Sequence, residues 1–300
     1  MQANPTAVAL DALHSAAFHK GLGNPLLALP TYHTQHQEVE EYAAQAYTKA
    51  NLVLVASGAT TDELKPQIEE FWKDLPAGKP LTSPASKFVG GETRIPHASG
   101  LQVYTIGFPG SASYGPSASP ESVILAHLLG GVAPVKWSDG QSPLSRLTSS
   151  ISTPNAPGHV FATNISYSDA GIFTIITTGS APYVSKAASG ALKLLQDVAK
   201  GSHAIKPEDV KRAIASARYA TYAASEARLS GLESIGQSVL DTGNVVDLDT
   251  VVSSFEKVTP EKLKQVPLPL SPRKPERLTW VDCRKAVGEK TCDCGRWFYS

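Results

Sequence analysis

The stretch FHKGLGNPLLALP, residues 18–30, places Gly21 and Gly23 where a phosphate-cradling loop would need them. A dinucleotide loop requires G-x-G-x-x-G directly after a strand, so that helix N-terminal amides face the pyrophosphate. GLGNPL instead follows a helical pattern and lacks the third glycine, and G-x-x-x-x-G-K-[ST] occurs nowhere in the chain. Gly21 and Gly23 are therefore expected to turn the backbone and to bind no cofactor. His33 and His36, three apart in HTQH, have a spacing that can set two imidazoles on one helix face as metal ligands. No Cys or third His accompanies them, so they are read as surface histidines. His14 and His19 are five apart and diverge by a good part of a turn. Cys283, Cys292 and Cys294 offer thiolates, but zinc needs four ligands and the nearest histidine, His203, is eighty residues back. Glu69 and Glu70 read as solvated charge, and no G-x-S-x-G elbow is present. From the residues alone, no catalytic, cofactor-binding or metal site is expected.

The elements that would have to position such groups belong to a chain long enough for two domains, at 300 residues. Lys plus Arg and Asp plus Glu both total 27, so no net field draws the chain to nucleic acid or anionic lipid. At 42% hydrophobic and 18% charged residues the composition is that of a folded protein. Its longest apolar runs, such as NLVLVASGA, are about half of the roughly 20 residues a membrane span needs. The leading MQANPTAVALDALHSAAF has no basic region, and its Asp11 argues against a transit peptide, so either the protein is cytosolic or Met1 is not its natural start. All three cysteines fall in the last 18 residues, leaving a body built without disulfides, as expected of a reducing compartment.

Helical spacing of Val8, Leu10, Leu13, Ala16, Ala17 and Phe18 predicts a helix stopped at Gly21, and QEVEEYAAQAYTKA predicts a second. NLVLVASG predicts a buried strand, and TTDELKPQIEEFWKDL a capped helix. The proline- and glycine-rich stretch from Pro76 to Pro96 has the composition of a linker. Beyond it LQVYTIGFPG reads as a strand, SPESVILAHLLGG as a helix, and GHVFATNISYSDAGIFTIITTGS as a hairpin joined at Asp169–Gly171. Helical stripes then continue through Val258. Segregated strands and helices predict an α+β fold. The last part, VPLPLSPRKPERLTWVDCRKAVGEKTCDCGRWFYS, has no usable period and is expected to be poorly ordered.

FHKGLGNPLL, YTKANLVLVASGA, LPAGKPL, SKFVGGETRI and SDAGIFTIITTG resemble, in order, landmarks of the core protein 2 family of mitochondrial ubiquinol-cytochrome c reductase (respiratory complex III), fungal in type. The likeness covers roughly residues 5–264 and places the chain near the mitochondrial processing peptidases and pitrilysin-like zinc proteases. It implies mixed or antiparallel sheets with helices packed on them, in metalloprotease-like half-domains. Residues 1–78 would be the C-terminal part of a first peptidase-like domain, 79–96 a linker, 97–265 a second domain, and 266–300 a divergent tail.

Catalytic members of the wider family carry a zinc-binding HxxEH, which this sequence lacks. The resemblance therefore implies a non-catalytic structural subunit without cofactor or metal. It would be paired with core protein 1 and other complex III subunits on the matrix side of the mitochondrial inner membrane, held there through the complex. It also implies a portion upstream of Met1, targeting presequence included, and a closing strand that the tail fails to supply. The rival readings are the presequence-binding, non-catalytic subunit of the processing peptidase and a truncated product with no function. LLGGVAPVKWSDGQSPLSRL, with Gly130, Gly131 and Gly140, has too few glycines for that subunit's long flexible loop.

Overall fold

The computed structural model describes residues 4–27, 33–82, 84–96, 100–115, 117–130, 142–264, 266 and the backbone of 279–284. Contacts divide the chain into two units, one of Met1–Leu26, Ser86–Tyr219 and Val251–Ser300, the other of Leu27–Ala85 and Ala220–Thr250.

The first unit is organised by a five-stranded sheet. Its strands are β1 (Gly91–Pro96), β2 (Gln102–Pro109), β3 (Gly158–Ser166), β4 (Gly171–Gly179) and β5 (Thr279–Arg284), in the spatial order β1-β5-β2-β4-β3. The β1–β5 pair is parallel and the others antiparallel, so the sheet is mixed. The expected hairpin forms, with Ser166 opposite Gly171 and Asp169 in the connection.

Side chains alternate across a strand, so the apolar runs of β2 and β4 must be covered on both faces. Helix α1 (Pro5–Phe18) covers one of them. Asn4 Oδ1 caps it by accepting from Thr6 N at 3.0 Å. Its Ala9, Leu13, Ala17 and Phe18 pack with Val103, Ile172 and Ile176. The opposite face meets α4 (Pro120–Leu129), α5 (Pro143–Ile151) and α6 (Ala181–Ala199), where Ile106, Phe108, Phe173 and Ile175 join Ile124, Leu125, Leu129, Leu144 and Leu195. Each fully buried Leu, Ile or Phe contributes about 1.5–3 kcal/mol, which makes these two layers the main stabilising feature of the unit. Val210 and Ala213 of α7 (Pro207–Glu226), Phe255 of α9 (Leu248–Phe255) and Leu263 of α10 (Pro260–Lys264) complete the second layer.

Three expectations are corrected. Residues 79–96 were expected to be a linker, yet β1 occupies 91–96, because β5 gives it a hydrogen-bonding edge along its whole length. Residues 266–300 were expected to be irregular, yet 279–284 form β5 inside the sheet. In TWVDCR only Thr279, Trp280 and Val281 favour a strand, a short signal set in charged and proline-rich sequence. The contacts also group residues 1–26 with the sheet instead of with 27–78, since α1 is the layer that covers β2.

The second unit contains α2 (His36–Ala46), α3 (Thr61–Trp72) and α8 (Arg228–Thr242). Helix α3 opens with a capping box: the Thr60 side chain accepts from the N3 amide, and the Thr60 amide donates to Glu63 Oε2 at 2.9 Å. NLVLVASG, expected to be a buried strand, has no strand partner among the described residues. Leu52 is extended, at φ −116° and ψ 136°, while Val53 and Leu54 are 38% and 50% exposed. The propensity for a strand is present, but no strand among the described residues of this unit pairs with it. No apolar side chain is buried among the described residues of this unit; its buried residues are Thr48 and Ser238.

Candidate functional site

The residues singled out by their chemistry fall into separate structural roles. Gly21–Gly23 form a single turn of 3-10 helix directly after α1. Gly21 takes a positive φ of 64°, and a Cβ on Gly23 would sit 3.1 Å from the Phe18 carbonyl carbon. Ser15 Oγ donates to the Gly23 carbonyl at 2.6 Å, which ties this turn back to α1. The two glycines are required by backbone conformation and close packing.

His33 and His36 are exposed, and His36 Nε2 pairs with Glu40 Oε1 at 3.2 Å, one turn along α2. His19 ends α1 with a φ of 61°, while His14 turns its ring toward Tyr167, so the two do not converge. Glu69 and Glu70 are exposed on α3. Cys283 is a residue of β5, whereas Cys292 and Cys294 lie outside the described residues. Among the described residues no three His, Cys, Asp or Glu side chains stand together as a possible metal site.

Three arrangements escaped the sequence reading, because each joins residues far apart in the chain. The first links Tyr167 and His14 across 153 positions. In the second, His127 Nδ1 of α4 lies 3.1 Å from Ser216 Oγ of α7, and burial holds the imidazole below its usual pKa. His14 Nδ1 meets only the main-chain carbonyl of Leu10, at 2.7 Å, and neither pair is joined among the described residues by a carboxylate that would orient a base toward a nucleophile, so the geometry supports packing of elements rather than acyl transfer.

The third arrangement is a knot in the second unit, centred on Asn51. Its Nδ2 lies within 2.8 Å of Thr48 Oγ1 and 3.1 Å of both the Gln45 and Lys79 carbonyls, and its Oδ1 accepts from Leu81 N at 2.8 Å. Lys49 N and Ala50 N donate to the carbonyls of Pro76 and Ala77. Gly78, at a φ of 63°, packs so tightly on Thr48 that no Cβ fits there. The knot launches the extended run from Leu52, beside an open cleft lined by Leu54, Val55, Leu64, Ile68, Phe71 and Trp72.

This cleft carries no charged lining residue, and elsewhere the same unit exposes Val39, Tyr42, Tyr47 and Leu240. Exposed apolar side chains in such number mark an interaction surface. The arrangement is suited to packing against protein and offers no proton-transfer chemistry.

Comparisons with known proteins agree with a scaffold of this kind. Residues 34–217 match the family described as the Peptidase M16 inactive domain. The chain is 39% identical over 266 residues to "Cytochrome b-c1 complex subunit 2, mitochondrial" of Neurospora crassa, covering 86% of this chain and 56% of that protein. It is 31% identical over 267 residues to the protein of the same name from Schizosaccharomyces pombe, covering 86% and 58%. The chain thus spans little more than half the length of these relatives. Among solved structures, a chain of Complex III2 from Candida albicans with Inz-5 bound superposes with a TM-score of 0.78 at 20% identity, covering 94% of this chain and 67% of that one. That likeness establishes the shared α+β fold. With the family match extending over more than half of its residues, the chain belongs to the Peptidase M16 inactive domain family.

Proposed function

We propose that this protein is a non-catalytic structural core subunit of mitochondrial respiratory complex III, of the core protein 2 type. It supports assembly of the ubiquinol-cytochrome c reductase and carries none of its redox chemistry. The observation that carries this reading is the 39% identity, over 86% of the chain, to the Neurospora crassa cytochrome b-c1 complex subunit 2. Both the family's description as an inactive peptidase domain and the absence of an HxxEH in the sequence support a packing role over hydrolysis.

In this reading the subunit sits on the matrix side of the inner membrane, against core protein 1 and other complex III subunits, and is held to the membrane through them. No described helix is long and apolar enough to cross a membrane.

Blue-native electrophoresis of solubilised mitochondria, followed by mass spectrometry of the complex III band, tests the proposal. Peptides of this chain are expected in that band together with the other subunits. Recovery only from a soluble matrix fraction with presequence-processing activity would overturn it in favour of the processing-peptidase partner.

A further inference from the structure

Strand β1 closes one end of the sheet order, with β5 its single neighbour among the described strands. Its side chains alternate between the two faces. Gly91 and Ile95 turn toward α1, where Gly91 approaches the Ala16 carbonyl and Ile95 packs with the cluster that includes Leu13. Glu92 and Arg94 stand half-exposed on the opposite face, with Arg94 Nε 3.0 Å from Glu92 Oε1. An edge strand is guarded by like charges, which repel a second copy of themselves. Here two charges of opposite sign sit two residues apart on one open face.

We propose that β1 is a self-complementary edge, to which a second copy of this chain adds its own β1, antiparallel about a two-fold axis through Thr93, so that the two sheets join into one.

The occupant and the register follow from the charges. A two-fold axis normal to the sheet sets each residue opposite one of the same face, so the axis must pass through a residue. Centred on Glu92, it opposes two carboxylates; centred on Arg94, two guanidinium groups. Centred on Thr93, it places Glu92 opposite Arg94 of the second copy, twice. It also lays Ile95 beside Gly91 of the second copy, where no side chain obstructs it. Directly opposed residues are about 4.5–5.5 Å apart, closer than the roughly 6.6 Å between positions i and i+2 along one strand. Each Arg94 therefore exchanges its own Glu92 for that of the second copy without leaving a charge unpaired. Pro96, with no N–H to give, falls opposite Gly90, which lies outside the strand, so it ends the pairing and interrupts none of it. Any extended segment offers backbone groups to an edge, and the charge pattern is what selects this one. The inference goes beyond the complex III reading and does not rest on it.

Sedimentation velocity on the 300-residue chain, from about 1 μM to about 100 μM, tests the pairing. The mass is expected to rise from the 31.7 kDa of one chain toward twice that value. Glu92→Arg opposes two cations at both pairs and Arg94→Glu two anions, so each variant alone is expected to dissociate about tenfold more readily. Combining the two substitutions in one chain restores both pairs. Mixing the two single variants does the same, because their mixed dimer sets every cation against an anion. Wild-type association is expected in both cases, which a misfolded variant could not recover. The mass of one chain at every concentration would overturn the proposal. Association that the single variants leave unchanged would also overturn it, by assigning the contact to the exposed apolar side chains of the second unit. So would a double variant and a mixture that stay dissociated, since β1 would then respond to charge and not to pairing.

Discussion

Tyr167 Oη lies 2.6 Å from His14 Nε2, and the two rings meet edge to face at 85°. His14 Nδ1 stands 2.7 Å from the Leu10 carbonyl, which can only accept. The Nδ1 position therefore carries the proton, Nε2 accepts, and the Tyr167 hydroxyl donates. This pair pins the hairpin end of the sheet to α1, the helix whose apolar residues pack on Val103 of β2 and on Ile172 and Ile176 of β4.

Replacing Tyr167 with Phe removes the donor and leaves a partly buried imidazole nitrogen unsatisfied. A loss of about 1 kcal/mol is expected, the lower end of the penalty for an orphaned acceptor because the site is half exposed. Urea unfolding of Y167F and wild type at neutral pH measures it, with the change in midpoint and not in slope.

A second consequence concerns pH. Burial depresses the pKa of His127 below 6.5, so at mildly acid pH the unfolded chain binds a proton that the folded chain refuses. Stability is therefore expected to fall as pH drops through about 6.5 toward the lower folded value, and to be unaffected by this group above it. His127→Gln keeps an amide within reach of Ser216 and does not titrate. Its unfolding midpoint should lose less than that of wild type between pH 7.5 and pH 5.5; equal losses would assign the acid sensitivity to other groups.

Gly171 opens β4, where the Ser111 carbonyl comes so close that a Cβ would collide with it and lie 2.9 Å from the Ile165 carbonyl. Both obstacles are backbone and cannot rotate away. Gly171→Ala is expected to cost about 3 kcal/mol, at the upper end for overpacking, and to lower the thermal midpoint by several degrees. The same substitution at Gly100, which like Gly171 lacks a positive φ but has nothing within 4 Å, gives the baseline without a collision.

The elements with strong local signals were legible. The helical spacing of Val8–Phe18 in α1, the capped start of TTDELKPQIEEFWKDL in α3 and the β3–β4 hairpin are written in short-range residue patterns that tertiary contacts reinforce. NLVLVASG shows the limit of this logic: it has the composition of a strand, but a strand exists only where another offers an edge. TWVDCR shows the converse, since a sheet edge captures a weak pattern inside a proline-rich tail. The His14–Tyr167 and His127–Ser216 pairs depend on helix placement across 153 and 89 residues and leave no local trace.

Because β5 lies between β1 and β2, the C-terminal segment is expected to be essential to the sheet. Ending the chain after Lys264 leaves β1 with no strand neighbour and opens the edge of β2. Such a protein is expected to lose cooperative thermal unfolding and to aggregate through the exposed edge. Retention of the wild-type transition would show that β5 contributes little.

The Asn51 knot yields the sharpest local prediction. Asn51→Asp conserves shape but converts Nδ2 into an oxygen that faces the Gln45 and Lys79 carbonyls, while the bond accepted from Leu81 N can persist. Donors are exchanged for repulsion at two carbonyls, which should destabilise the knot by on the order of 1–2 kcal/mol. Faster exchange is expected at the amides of Lys49, Ala50 and Leu81, with the amides of β2 and β4 unchanged. Protonating the new carboxyl restores one donor. The difference from wild type at these amides should therefore shrink as pH approaches 4, the ordinary carboxyl range of about 3.9. A difference that stays constant down to that pH would mean that Asn51 acts through its volume and not through its hydrogen bonds.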